Sequence, residues 1–304
     1  MYYFDWLNEW LTDWVKPLVK TRTYERYNAI VRNQITPKLG NRNIAELDAS
    51  VLQKFTAELA ESYSPNTVAG IVAVIKSSLS CAQTNGKVKK QYSFCIKKPK
   101  AKEKEITCFT YAEQKKIEKF VLASKRQKLF GIELCLYTGI RIGELLALEW
   151  GDIDLRRKTV SITKTCRDRW EGGVFTKEID MPKTEASRRK IPLPAQLIPY
   201  LKAMKDKSTS PFVITTPHGE LPVRSYQRTF ENILKKLNIP HRGFHALRHT
   251  FATRALECGM DVKTLSVILG HTNPSVTLKR YAHSLCDHQS AMMNRLGKHF
   301  GGAD

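Results

Sequence analysis

The sequence predicts a mainly α protein with a small antiparallel β-sheet, organised as an N-terminal helical bundle followed by a larger α+β domain. Three observations carry that reading. Apolar residues recur at helical spacing through residues 1–85, a Lys-rich stretch without periodicity follows them, and β-type alternation is confined to 153–193. At 304 residues the chain is long enough for two ordinary domains, each with its own core. The expected boundaries are 1–85 for the bundle, 86–107 for a linker and 108–304 for the second domain.

In the bundle, Trp6, Trp10, Leu11 and Trp14 share the spacing of a helix over 4–15. Thr21 or Thr23 caps a second helix reaching Ile35, which Pro37 and Gly40 end. Asp48 caps a third with Val51, Leu52, Phe55 and Leu59 inward. Ser64 or Asn66 opens a fourth through Val68, Ile71, Val72, Ile75 and Leu79. Four helices with short connections suit a small bundle.

The stretch 86–107 holds Lys87, Lys89, Lys90, Lys97, Lys98, Lys100, Lys102 and Lys104, with Pro99 among them. A solvated tether has this composition, but the whole chain is basic as well. Fifty Lys and Arg against 29 Asp and Glu give a net charge of +21, a field that draws a polyanion, and nucleic acid is the obvious one. A linker lying against phosphates would add affinity by counterion release. No long apolar run offers a membrane span or a signal peptide, so no membrane partner is expected. The seven Cys form no Cys-x-x-Cys pair, so neither a zinc site nor a redox motif is indicated, and they read as reduced cytosolic thiols.

The second domain opens with helices over 111–123 and 128–137, the latter stopped at Gly139, and a third over 142–150 follows directly on Arg141. Glu144, three residues on, is placed to hold the Arg141 guanidinium. Strands are expected over 159–165, 174–181 and 190–193, with a turn at Gly172-Gly173, and helices over 197–204 and 226–237 complete the domain. His245 and Arg248 then share one face of a helix that Gly259 stops. Asp261 caps a helix over 262–269 closed by Gly270, His271 falls on the turn, and Asn273-Pro274 opens a short helix carrying Tyr281. Beyond it, Leu285, Met292, Met293, Leu296 and Phe300 are apolar at helical intervals, as in an amphipathic tail helix.

Singly, a Tyr is more often a packed ring and a His more often structural than chemical. The joint order is specific. Tyr-Thr-Gly-Ile-Arg-Ile-Gly-Glu-Leu-Leu-Ala-Leu around Arg141, His-Ala-Leu-Arg from His245, Leu-Gly-His before Thr272 and Arg-Tyr-Ala-His around Tyr281 resemble the active-site signature of the tyrosine recombinases, the phage and conjugative-transposon integrase family. The resemblance implies an α+β tyrosine-recombinase catalytic domain behind a core-binding domain that clasps DNA, with Lys20, Arg22, Arg26, Lys76 and Lys87 as candidate backbone contacts. It places the family's mobile catalytic lysine, carried on a β-hairpin, at Lys183 in Pro182-Lys183-Thr184. Lys177 and Lys190 are rivals, because the segment around 167–173 is longer than the family's minimal pattern.

The groups themselves suit the chemistry. A phosphodiester in transesterification gathers charge on its non-bridging oxygens, and Arg141 and Arg248 offer planar donor forks matched to it, with His271 a further donor. Tyr281 is the nucleophile and His245 the expected base, since a phenol with a pKa of about 10 needs both a cationic pocket and a proton acceptor. Lys183 would protonate the departing deoxyribose oxygen. His249, next to Arg248, is expected to point elsewhere on the helix, although it is the main rival for the imidazole work. By resemblance the product is a 3′-phosphotyrosine and a free 5′ hydroxyl, made without metal, nucleotide or other cofactor. The expected partners are double-stranded DNA recombination sites, a homotetramer on them, and an accessory directionality protein the resemblance leaves open. The family's extra arm-binding domain is not seen ahead of the bundle, which reads as a fragment or a simpler recombinase. A cytoplasmic, DNA-associated protein of a bacterium or phage fits all of this. Two alternatives share the features: a type IB topoisomerase-like nicking and closing enzyme, and a DNA-binding regulator with a silent site.

Overall fold

The computed structural model describes residues 1–89, 96–97, 99, 107–124, 126–171, 174–181, 188–216, 219–275, 277–278, 281, 293–294, 296–297 and 299–300. The chain divides into two compact units, Met1–Lys104 and Glu105–Asp304.

In the first unit, α1 (Tyr3–Glu9) widens into a π-helical turn, Trp10–Val15, and α2 (Thr21–Ile30) into another, Val31–Ile35, before α3 (Thr36–Leu39). Pro37 does not end the helix as expected. It sits in the first turn of α3, and the π-turn before it relieves the clash its ring would make with a regular α-helical carbonyl. Asp48 and Ser64 cap α4 (Ala49–Ser62) and α5 (Pro65–Thr84), accepting from the Val51 and Thr67 amides at 2.8 and 3.3 Å. Contrary to the expectation of no long apolar run, α5 is long and apolar enough to cross a membrane by length and composition. Its Val68, Ile71, Val72, Ile75 and Leu79 are buried in one cluster with Tyr3, Trp6 and Leu52. Its buried Ser78 shares a 2.7 Å hydrogen bond with Tyr3 Oη and accepts at its carbonyl from Trp6 Nε1 at 3.0 Å, which is how a core helix satisfies its polar groups.

The second unit packs α6 (Tyr111–Ser124), α7 (Gln127–Thr138) and α8 (Ile142–Leu146) around a core that includes Phe109, Ile117, Ile132, Leu145, Val160, Ile191, Phe230 and Leu247. Helix α8 is shorter than the apolar run suggested. After Ala147 the backbone turns away to pair with a distant segment, Val213 N donating to Leu148 O and Trp150 N to Pro211 O, both at 2.9 Å. An apolar run buried on all sides has no periodicity with which to mark that break.

The β region likewise forms two sheets where one was expected. Strands β1 (Ile153–Asp154), β2 (Thr159–Ile162) and β5 (Arg189–Pro192) make an antiparallel sheet in the order β1-β2-β5, with Val160 opposite Ile191. Between β2 and β5 is inserted a separate hairpin, β3 (Thr165–Glu171) and β4 (Val174–Asp180), with Asp168 opposite Lys177. At the break, Lys164 bridges Glu149 and Asp152 at 2.8 and 3.2 Å. The hairpin is tied down by Asp168, which accepts from the first amides of α10 (Val223–Lys236), those of Val223 and Arg224, at 2.7 and 3.1 Å. Helix α9 (Ile198–Lys205) lies between β5 and α10 in sequence, and α11 (His245–Glu257) and α12 (Val262–Leu269) follow. In the tail, Met293, Leu296 and Phe300 lie at helical intervals and are 66%, 42% and 77% exposed.

Candidate active site

Two helix C-termini create the site. Gly139 and Gly270 end α7 and α12 in the left-handed conformation, at φ 63° and 65°, which a side chain would resist. That turn aims unpaired carbonyls, at the negative ends of two helix dipoles, toward the same place. Arg248, near the start of α11, fills it: Nη1 donates to Gly139 O at 2.8 Å and Nη2 to Leu269 O at 2.6 Å. Arg141, preceding α8, donates from Nη2 to Gly270 O at 3.4 Å and from Nη1 to Glu144 Oε1 at 2.7 Å. The ion pair the sequence suggested is therefore made, and the Arg141 amide also donates to Glu144 Oε2 at 2.9 Å.

A third guanidinium joins them that the sequence reading did not single out. Arg189, on β5, is buried and donates from Nη1 and Nη2 to the two Glu144 oxygens at 3.1 and 2.8 Å, and from Nε to Ile268 O at 2.5 Å. Its signal was present. Alternation along β5 puts Arg189 on the inward face with Ile191, and Lys190 outward. Arg141 and Arg189 thus share the carboxylate of Glu144, while Arg248 and Arg141 meet the carbonyls at the two helix ends. Burial pushes the Glu144 carboxyl up, but Arg189 and Arg141 outweigh it and hold it below the usual range. Burial, then the Arg141 charge, push the Arg248 guanidinium down to about 9, Glu144 and Tyr281 opposing. At about 9 the Arg248 guanidinium is still charged at neutral pH, so the site can stabilise an anion.

His271 follows the Gly270 turn. Its Nε2 lies 3.0 Å from Arg248 Nη2 and its Nδ1 2.7 Å from the buried Thr277 Oγ1. Because a guanidinium can only donate, Nε2 is the acceptor and the proton sits on Nδ1, donating to Thr277. In this arrangement the His271 ring accepts from Arg248 and orients it. Thr277 was not singled out in the sequence.

Tyr281 is 1% exposed, in an apolar cluster with Ala252, Ala255, Leu256, Leu265 and Leu269. Its hydroxyl lies 2.7 Å from His249 Nδ1. His249, expected to point elsewhere on the helix, does lie about 100° round α11 from Arg248, but there it meets the Tyr281 hydroxyl. His245, one turn earlier and exposed, meets the His249 ring edge-to-face with centroids 4.6 Å apart.

Of the lysines, Lys183 lies outside the described residues. Lys190 is exposed. Lys177 Nζ sits 3.6 Å over the Phe212 ring, and burial pulls its pKa down against the Glu220 charge, 4.0 Å away. Among the described residues no group of three or more His, Cys, Asp or Glu is arranged to hold a metal ion.

Residues 108–288 match the family model described as the phage integrase family, and residues 3–60 match the phage integrase N-terminal SAM-like domain. The chain is 30% identical to a "tyrosine recombinase XerC-like" protein of Caldanaerobacter subterraneus subsp. tengcongensis, over 91% of this chain and 77% of that protein. It is 28% identical to the transposase from transposon Tn916 of Enterococcus faecalis, over 86% of this chain and 69% of that protein. In fold it is similar to the Tn1549 transposon integrase in complex with a circular intermediate DNA, with a TM-score of 0.81 at 24% identity over 97% of this chain and 99% of that one. A lambda integrase dimer bound to a core site gives 0.73 at 16% identity, over 92% of this chain and 95% of that one.

Proposed function

The chain belongs to the phage integrase family and is a tyrosine site-specific recombinase, and from that premise we propose that it cuts and rejoins double-stranded DNA through a 3′-phosphotyrosine at Tyr281. The observation that carries the assignment is the meeting of Arg141, Arg248 and His271 at two helix C-termini, with the Tyr281 ring in the adjoining cluster. The guanidiniums are preorganised donors for the non-bridging oxygens of the scissile phosphate, where charge grows in the transition state. His271 orients Arg248, and His245 lines the approach beside His249. Lys183 is the acid that protonates the departing 5′ oxygen.

The two alternatives, a nicking and closing enzyme and a silent regulator, are set aside by the family membership. The named structural relatives include integrases bound to DNA and a lambda integrase tetramer on a Holliday junction. With the +21 net charge, this supports DNA as the partner and a homotetramer as the working assembly. The bundle and the linker 86–107 would supply backbone contacts, and the exposed Met293, Leu296 and Phe300 of the tail suit docking on a neighbouring subunit. Relatives in bacteria and a staphylococcal phage fit a DNA-associated, cytoplasmic protein.

The test is incubation with a pool of nicked, random-sequence duplexes, in chelator and without nucleotide, followed by denaturing capture of protein-linked DNA. Covalent adduct that survives denaturation and is released by protease is expected. Adduct that forms only with added Mg²⁺ or ATP would overturn the reading.

A further inference from the structure

A phenol must shed its proton to attack phosphorus, and what lies within reach of the hydroxyl decides where that proton goes. We propose that His249 is the catalytic residue that takes the proton of Tyr281 during strand cleavage, an inference that rests on the reading of Tyr281 as the nucleophile. Its Nδ1 is 2.7 Å from the phenolic oxygen, within the range for direct proton transfer. Arg248, the neighbour of His249 in sequence, is already engaged with Gly139 O, Leu269 O and His271 and has no lone pair to offer. His271 has its Nδ1 on Thr277 and its Nε2 on Arg248. Among the described residues, Tyr281 shares a buried apolar cluster with Ala252, Ala255, Leu256, Leu265 and Leu269.

The step balances without a further reagent. The Tyr281 O–H bond breaks and an N–H bond forms at His249 Nδ1 as the phenolic oxygen bonds to phosphorus. The bond from phosphorus to the 5′ oxygen breaks, and that oxygen takes a proton from Lys183. On rejoining, the 5′ hydroxyl gives its proton back to Lys183 as its oxygen bonds to phosphorus, the bond from phosphorus to the Tyr281 oxygen breaks, and His249 returns its proton to that oxygen. Among the described residues, the Tyr281 hydroxyl meets His249, and His245 lies edge-to-face with it on the same helix. Arg248 is adjacent in sequence with its guanidinium turned to Gly139 and Leu269.

The test is single-turnover adduct formation against pH, using a nicked duplex selected from the random pool by the wild-type protein. Wild-type rate is expected to rise with pH through the imidazole range, about 6.5 for an unperturbed histidine, because the neutral ring is the base. His249→Ala should lose that limb and slow roughly 100- to 10,000-fold at neutral pH, with DNA affinity kept and added imidazole restoring rate. His249→Asn keeps an acceptor near the Nδ1 position but cannot take a proton, and should be as slow as the alanine variant. Wild-type rate and profile in His249→Asn would reduce His249 to a hydrogen-bonding support and overturn the proposal; so would an unchanged rate in His249→Ala. Tyr281→Phe, run alongside, separates the two readings. Adduct in that variant removes the nucleophile assignment itself, whereas loss of adduct there with an unaffected His249→Ala removes only this inference.

Discussion

Replacing Arg189 by Ala is expected to destabilise the second unit by about 3–5 kcal/mol, the cost of removing one partner of a buried ion pair. The side chains of Arg189 and Glu144 are 3% and 6% exposed, so solvent does little to compensate. Charge-assisted hydrogen bonds go with the guanidinium, among the described residues two to Glu144 and one to Ile268 O. At about 1.5–3 kcal/mol each they would total more than that, but Arg141 stays on Glu144 and bears part of the loss. In a unit of this size the change lowers the unfolding temperature by roughly 6–20 °C. The assay is urea unfolding of both proteins from pH 3 to pH 8. Glu144 is held below the usual carboxylate range, so its contribution is present above the unfolded carboxylate pKa and fades as pH falls through the folded value. The gap between the two proteins should therefore be widest near neutrality and shrink toward pH 3. A loss under about 1 kcal/mol at neutral pH, the size of a surface pair, would refute the claim that Arg189 holds the site together.

Arg141→Lys keeps the charge but cannot both hold Glu144 and offer a fork to phosphate, so adduct formation should fall roughly 100-fold or more while DNA affinity holds; a wild-type rate in a single-turnover assay would remove Arg141 from the clamp. Burial, then Glu118, push the Glu133 carboxyl up to about 7 with Lys115 opposing, so the folded state binds its proton more tightly than the unfolded chain does. That group costs stability increasingly as pH rises from about 4.5 to about 7, and Glu133→Gln should stabilise the protein above pH 7 by up to about 3 kcal/mol and leave it unchanged near pH 4. A pH-independent difference in unfolding free energy would contradict this. Truncation after Ser284 should leave binding to a single duplex intact and weaken pairing of two duplexes in a native-gel titration, since the exposed Met293, Leu296 and Phe300 go with it; equal pairing by both proteins would place those residues outside the assembly.

What was legible in the sequence was local. Asp48, Ser64 and Asp261 cap the helices they were expected to cap, and Gly139 and Gly270 turn the chain where the apolar pattern stops, because these effects act within one helical turn. The pairing of Arg141 with Glu144 is local in the same sense. What was not legible depends on chain segments meeting from far apart. Arg189 reaches Glu144 across 45 residues, and only the sheet brings them together. His249 meets Tyr281 across 32 residues, a contact that no helical wheel of α11 contains. The inserted hairpin hid because its strands alternate like those of the sheet it interrupts, and the break at Lys164 is marked by ion pairs with Glu149 and Asp152, not by Gly or Pro.

The central claim is that Tyr281 carries the DNA. The most direct measurement is to digest the protein-linked species with nuclease and protease and identify the peptide that bears the residual nucleotide by mass spectrometry. A nucleotide phosphate on the Tyr281 side chain, absent together with all adduct in Tyr281→Phe, is the expected result. A nucleotide on any other residue, or undiminished adduct in Tyr281→Phe, would contradict the account.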